Sequence, residues 1–218
     1  MKHRIVAPML GALVSTFATG VHAADFYVDP ATGSSANDGS QQKPWKTLEE
    51  VVSAGHFGKA VKAGDTVHLL GGYHGEMLVS GGSYSPPITV AAVAGQTAKL
   101  RRARFGNTSG WILRGVSVSP SYGTATGTVT MVEVQTSASK VTVEDSELFS
   151  VADSSAWGVP EWLNGASNGI SLRGAKSVLP CGGSWCARCR GITNGARAGW
   201  GSRGRGRVRW RSCSASIR

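Results

Sequence analysis

Apolar residues in this chain come in short runs, and where they alternate with polar ones the period is two. Phe26-Tyr27-Val28 is a β-rich triplet stopped by Asp29-Pro30. Residues 31–40 (ATGSSANDGS) are turn formers, with Asn37-Asp38-Gly39 suited to a tight turn. Ala63-Gly64-Asp65 turns into the alternating strand Thr66-Val67-His68-Leu69-Leu70, and Ile88 to Val93 forms another, ended by Gly95. One segment departs from this pattern. In Thr47-Leu48-Glu49-Glu50-Val51-Val52, Thr47 serves as an N-cap with Glu50 three residues on, a capping box, and Leu48, Val51 and Val52 share a face. This is the one helix the pattern predicts.

Further along, the strands echo one another. Trp111-Ile112-Leu113-Arg114-Gly115-Val116-Ser117-Val118 and Val141-Thr142-Val143-Glu144-Asp145-Ser146-Glu147-Leu148 carry bulky apolar residues at their first, third and eighth places, with a small or polar kink between. Gly169 to Gly174 continues the type. Units spaced by roughly 20–30 residues suggest a solenoid, because a single coil cannot bury its own apolar face. A β-sandwich would show more regular spacing and no early helix. The chain therefore reads as all-β. Residues 88–176 should form stacked parallel strands with Trp111, Leu113, Val141, Val143, Ile170 and Leu172 pointing inward.

Charge divides the chain differently. Residues 177–218 hold nine Arg, no Lys, no acid, all four Cys and three of the seven Trp, whereas residues 24–176 hold 12 basic and 13 acidic groups. The formal net charge of +10 thus belongs to the tail and to Lys2 and Arg4. Residues 1–23 read as a signal peptide: a basic Met1-Lys2-His3-Arg4, an apolar stretch from Ile5 to Gly20, and Val21-His22-Ala23 at the cleavage site. The apolar stretch is too short and too interrupted for a membrane anchor. The chain is expected to be secreted, extracellular or periplasmic, with no membrane attachment after cleavage. Its body, residues 24–176, lacks Cys and is no disulfide scaffold.

Several motifs of the body occur in one order: Phe26-Tyr27-Val28-Asp29-Pro30, Asn37-Asp38-Gly39, Lys43-Pro44-Trp45-Lys46-Thr47-Leu48, Gly64-Asp65-Thr66-Val67, Gly71-Gly72-Tyr73 and Pro87-Ile88-Thr89-Val90. That order resembles the N-terminal portion of secreted right-handed parallel β-helix proteins of the pectate-lyase-like superfamily, including polysaccharide lyases. The resemblance implies that the helix around Leu48 caps the open end of the first coil. It also implies a polysaccharide lyase-like activity on acidic, uronate-containing glycans, with Ca²⁺ or basic side chains neutralising the uronate carboxylate. Fold does not fix function here, since lyases, hydrolases and inactive chains share this opening. A non-catalytic β-helix used for surface binding or adhesion is the alternative.

Catalytic and metal residues stay unassigned at this level. Glu133, Glu144, Asp145, Glu147, Asp153 and Glu161, with Lys140 among them, could hold Ca²⁺ or pair for glycoside hydrolysis. Solvent-facing polar positions explain them better, because they form no dense ligand motif. Asp29, Asn37 and Asp38 could hold an ion, but self-bonded loop geometry suits them better. His56, His68 and His74 lack metal-ligand spacing, and the sequon Asn107-Thr108-Ser109 matters only in a glycosylating host. A Lys/Arg pair beside acids on one solenoid face would favour an enzyme.

The tail offers two motifs. Cys181, Cys186, Cys189 and Cys213 mimic a [2Fe–2S] spacing, and residues 201–207 (GSRGRGR) mimic a nucleic-acid segment. An exported chain without a surrounding module fits neither, and no nucleic-acid partner is expected. A reading-frame shift near residues 177–180 accounts for Arg, Gly, Cys and Trp without acids better than the alternative, a natural extension. Residues 177–218 are then a disordered basic tail on a truncated β-helix, and the protein as it stands is inactive.

Overall fold

The computed structural model describes residues 23–123, 129–135 and 137–173, with short strand backbones at 177–178, 208–209 and 213–217. The expected signal peptide up to residue 22, most of the tail with Cys181, Cys186 and Cys189, and the 201–207 run lie outside the described residues.

The body is a parallel β-helix whose coils contribute one strand each to three sheets. The first sheet stacks β1 (Asp25–Val28), β2 (Thr66–Leu69), β5 (Ser83–Ala92), β8 (Ser109–Arg114) and β11 (Ser139–Glu144). The second stacks β4 (Glu76–Ser80), β7 (Arg102–Gly106), β10 (Thr130–Val134) and β13 (Asn168–Leu172). The third stacks β3 (Gly72–Tyr73), β6 (Ala98–Leu100), β9 (Ser117–Val118) and β12 (Glu147–Leu148). All these pairings are parallel. One coil takes 23 residues from Thr66 to Thr89 and again from Thr89 to Ile112, then 30 from Ile112 to Thr142.

The echo seen in the sequence is one coil laid on the next. Trp111 pairs with Val141, Leu113 with Val143 and Val118 with Leu148, and all six are buried. Ile170 and Leu172 also face the core but are only half-buried. The kink between paired strands is a left-handed residue, Gly115 at φ 71° and Asp145 at φ 50° in successive coils. Glycine adopts this conformation freely, and Asp tolerates it better than most side chains.

The predicted helix is α1 (Leu48–Ser53), with Thr47 Oγ1 accepting from Glu50 N at 3.2 Å. Its first turn docks on the first coil, where Glu49 N donates to His74 O at 3.0 Å. Leu48 and Val51 are buried beneath it, and Trp45 is sandwiched between Phe26 (5.1 Å) and His56 (4.5 Å). A second helix, α2 (Val159–Asn164), was not predicted. Gly-Val-Pro-Glu-Trp-Leu offers too few apolar residues for a periodic face, and Glu161 closes the helix start by accepting from Gly158 N at 2.9 Å.

The described part of the tail forms β14 (Ser177–Val178), β15 (Val208–Arg209) and β16 (Cys213–Ile217). Here β16 runs antiparallel to β11 and β14, and β15 antiparallel to β12, breaking the parallel order of the coils. An open sheet edge pairs with any extended segment that reaches it.

Candidate functional site

The residues singled out as candidate acids are dealt to different faces by the coil register. Glu133 lies on the second sheet, with its carboxylate 3.1 Å from Arg173 Nε. Glu144 lies on the first sheet, ion-paired to Arg114. Asp145 occupies the corner, and Glu147 stands on the third sheet beside Ser117. Asp153 binds Ser155 N at 2.9 Å in its own loop, and Glu161 caps α2. Lys140 sits at φ 50° at the start of β11. Among the described residues no three His, Cys, Asp or Glu side chains come together as a metal site.

The earlier loop ties itself as expected. Asp29 accepts from Ala31 N at 2.9 Å and from Thr32 Oγ1 at 2.5 Å. Burial opposes its ionisation, but the Thr32 and Ala31 hydrogen bonds outweigh burial and hold its pKa below the usual value. Asn37 donates to Pro44 O at 2.9 Å, and Asp38 accepts from Ser40 N at 2.9 Å. His56 stacks on Trp45, His68 bonds Asp25 at 2.7 Å, and His74 is buried with Nε2 donating to Leu70 O at 2.7 Å. In the sequon, Thr108 is a packing residue that accepts from Trp111 Nε1 at 2.7 Å and donates to Gly82 O.

The chemistry-bearing cluster lies where it was not sought, at the corner between the third and second sheets. Residues 98–105 alternate there: Ala98, Leu100, Ala103 and Phe105 are buried, while Lys99, Arg101, Arg102 and Arg104 turn outward and are half-buried. Four cations thus occupy six positions along a ridge that runs from the third sheet (Lys99) over the corner (Arg101) to the second sheet (Arg102 and Arg104). Glu76 on the preceding coil answers two of them, with Oε1 2.7 Å from Arg101 Nη1 and Oε2 2.8 Å from Arg102 Nε. Arg104 lies between Leu78 and Glu133 in register and makes no ion pair among the described residues. Lys99 sits next to Tyr73 in the third sheet, with its Nζ 5.6 Å from the centre of the Tyr122 ring.

Local structure holds these groups in place. Tyr122 closes a short 3₁₀ turn, bonds Ser117 Oγ at 2.8 Å and meets the Phe149 ring edge-on at 5.7 Å. That turn leans on the Arg101 stem, since a Cβ added at Gly123 would come within 2.7 Å of Arg101 Cδ. Tyr73 stays well exposed, and partial burial, then the Glu49 carboxylate, push its phenol pKa up, so it remains a hydroxyl donor. The connection at this corner is His74-Gly75 in the first full coil and Arg101 alone in the second. It grows to residues 119–129 and 149–167 in the next two. The ridge therefore has short corners on one side and longer connections on the other.

No family model and no curated protein matches the chain. Among solved structures a rhamnogalacturonan lyase is similar to it, with a TM-score of 0.47 and 19% sequence identity over 69% of this chain and 38% of that one. The chain thus spans well under half the length of that enzyme.

The ridge was legible as Lys99-Leu100-Arg101-Arg102-Ala103-Arg104, in which an apolar–polar period of two puts Lys99 opposite its apolar neighbours and Arg102 and Arg104 on one face. Arg101 breaks the alternation at the corner, and the run of charges around it resembles a loop. Glu76 holds Arg101 and Arg102, so among the described residues Lys99 and Arg104 are the ridge cations placed to meet an outside anion. Guanidinium groups bind carboxylates with paired charge-assisted hydrogen bonds, and a half-buried setting strengthens them.

Proposed function

We propose that this chain carries the N-terminal coils of a secreted, polysaccharide lyase-like β-helix protein acting on acidic, uronate-containing glycans. In its present form it binds such glycans along the Lys99–Arg104 ridge without cleaving them. The observation that carries this reading is the ridge itself, with Arg104 outward and without an ion pair among the described residues. Abstraction of the proton beside a uronate carboxylate becomes feasible only when that carboxylate is neutralised, and a row of fixed cations does this. The ordered motifs from Phe26 to Val90 supply the family context. Glu76 already holds Arg101 and Arg102, which among the described residues leaves Lys99 and Arg104 for a glycan carboxylate.

Affinity electrophoresis or calorimetry with pectate, alginate and chondroitin tests the reading, with carboxyl-reduced polymers as controls. Binding should favour the acidic polymers and weaken with salt. Arg104→Ala should lose about 10- to 100-fold in affinity, the worth of one charge-assisted contact, and no unsaturated product should absorb. Equal binding to the neutral polymers sinks the proposal.

A second reading is a β-helix that binds surfaces without any catalysis, which asks of the ridge only its outward charge. The two part over the tail, which we propose is read out of frame. Codons 175–182 should open in another frame into further alternating strands, and stops in every alternative frame would defeat this. Lyase activity of the frame-restored protein selects the first reading, and its absence the second.

A further inference from the structure

Asp65 opens the first full coil, and only 6% of the residue is exposed. Its Oδ2 accepts from Lys62 N at 2.7 Å, and its Oδ1 accepts from Ala24 N at 2.8 Å. The neighbouring backbone closes the same junction. Thr66 N donates to Ala24 O at 2.9 Å, and Thr89 N donates to Asp65 O at 3.0 Å. One enclosed carboxylate therefore joins the start of β1 to the coils stacked on it. An enclosed carboxylate is costly to leave without a countercharge. The described partners of its two oxygens are both neutral amides.

We infer that Asp65 is the binding site for a new N-terminus, the α-ammonium of Ala24 released by proteolysis between Ala23 and Ala24. The step is hydrolysis by a processing peptidase. Water adds its hydroxyl to the Ala23 carbonyl carbon, the C–N bond breaks, and the Ala24 nitrogen gains protons from water and solvent to become an ammonium. The nitrogen already 2.8 Å from Oδ1 then carries a full positive charge, and a neutral hydrogen bond becomes a charge-assisted one of roughly twice the strength. Position is decisive. Cleavage one residue later removes the donor, and cleavage one residue earlier carries the ammonium about 3.8 Å along the chain. The inference rests on the proposed cleavage after Ala23, which the Val21-His22-Ala23 pattern suggested without reference to Asp65. Processing would thereby fasten the first strand to the coil it covers.

The test uses the whole chain from Ala24 to Arg218 in two forms, one beginning at Ala24 and one with a single glycine ahead of it, each with and without Asp65→Asn. The Ala24 form should melt about 3 °C higher than the extended form, the shift expected for roughly doubling one hydrogen bond in a chain of this size. Asp65→Asn should erase that difference. Acylation of the α-amine at neutral pH should be several-fold slower in the Ala24 form, a readout that stands even if Asp65→Asn does not fold. Equal melting and equal acylation would overturn the inference, as would N-terminal sequencing of exported protein that begins anywhere but Ala24. No glycan enters these measurements, so their failure leaves the ridge proposal standing, and the reverse holds too.

Discussion

The two ends of the coil stack are finished differently. At the first end α1 lies over the coil, Leu48 and Val51 are buried, and Trp45 is 2% exposed between two rings. At the far side of the second sheet, β13 turns Ile170 and Leu172 toward the same core, yet both stay half-buried. The residues inward on the strands before it, Val132 and Val134 on β10, are buried. Burial in a solenoid is thus a property of the neighbour as much as of the residue. The same apolar pattern yields a closed core only where another layer lies on it.

The sharpest way to break this comparison is to truncate one anchor at each end. Trp45→Ala should cost about 3–5 kcal/mol, because a filled aromatic slot collapses poorly. Ile170→Ala should cost about 1 kcal/mol, a common value for point substitutions. Urea denaturation of both variants measures the gap, and equal costs would mean that the far side is as well packed as the cap.

A smaller effect should come from His74 beneath the cap. Its Nε2 is engaged by Leu70 O, and Nδ1 is buried without a hydrogen-bond partner among the described residues. Burial lowers its pKa below 6.5, despite Leu70 O and the Asp29 charge favouring the proton. The unfolded chain therefore binds more protons than the native one as acid is added. Stability is full above pH 6.5 and declines as pH falls toward the lowered native value. Thermal melts between about pH 7 and 5 should show this slope, and His74→Gln should flatten it. Asp29, with its pKa also lowered, adds its own loss at lower pH.

The smallest effect compares like with like inside the stack. Gly115→Ala should destabilise by about 1 kcal/mol, since the new side chain is forced into left-handed backbone. Asp145→Gly, at the equivalent corner one coil on, should be neutral or slightly stabilising. Melting temperatures of the two variants decide it, and a loss at Asp145 would reveal a role for its carboxylate.

How far the sequence alone reaches can be seen in particular elements. Trp111–Val118 and Val141–Leu148 were legible as one repeating unit because large inward residues recur in register. The helix at Leu48 was legible through its cap. The two-residue strands Gly72–Tyr73, Ser117–Val118 and Glu147–Leu148 are too short to show a period, so the third sheet was not visible as a sheet. Arg102–Gly106 escaped notice as a strand because its outward charges make it resemble a loop, and the candidate ridge was lost with it. The acids at 133–161, read as solvent-facing polar positions, show the converse. They are neighbours along the chain, but each coil carries them to a different side of the stack.

The widening corner between the third and second sheets has a consequence for how such a protein can change over generations. Each coil bonds only to the ones above and below, and the added chain at residues 119–129 and 149–167 enters between strands whose pairing it leaves parallel and in register. Length at that corner can therefore differ from coil to coil without shifting the strands, even though Ser119, Phe149 and Ser167 of these connections are themselves buried. A change that lengthens or shortens one of these connections should alter what borders the ridge while leaving the stack beneath as it was.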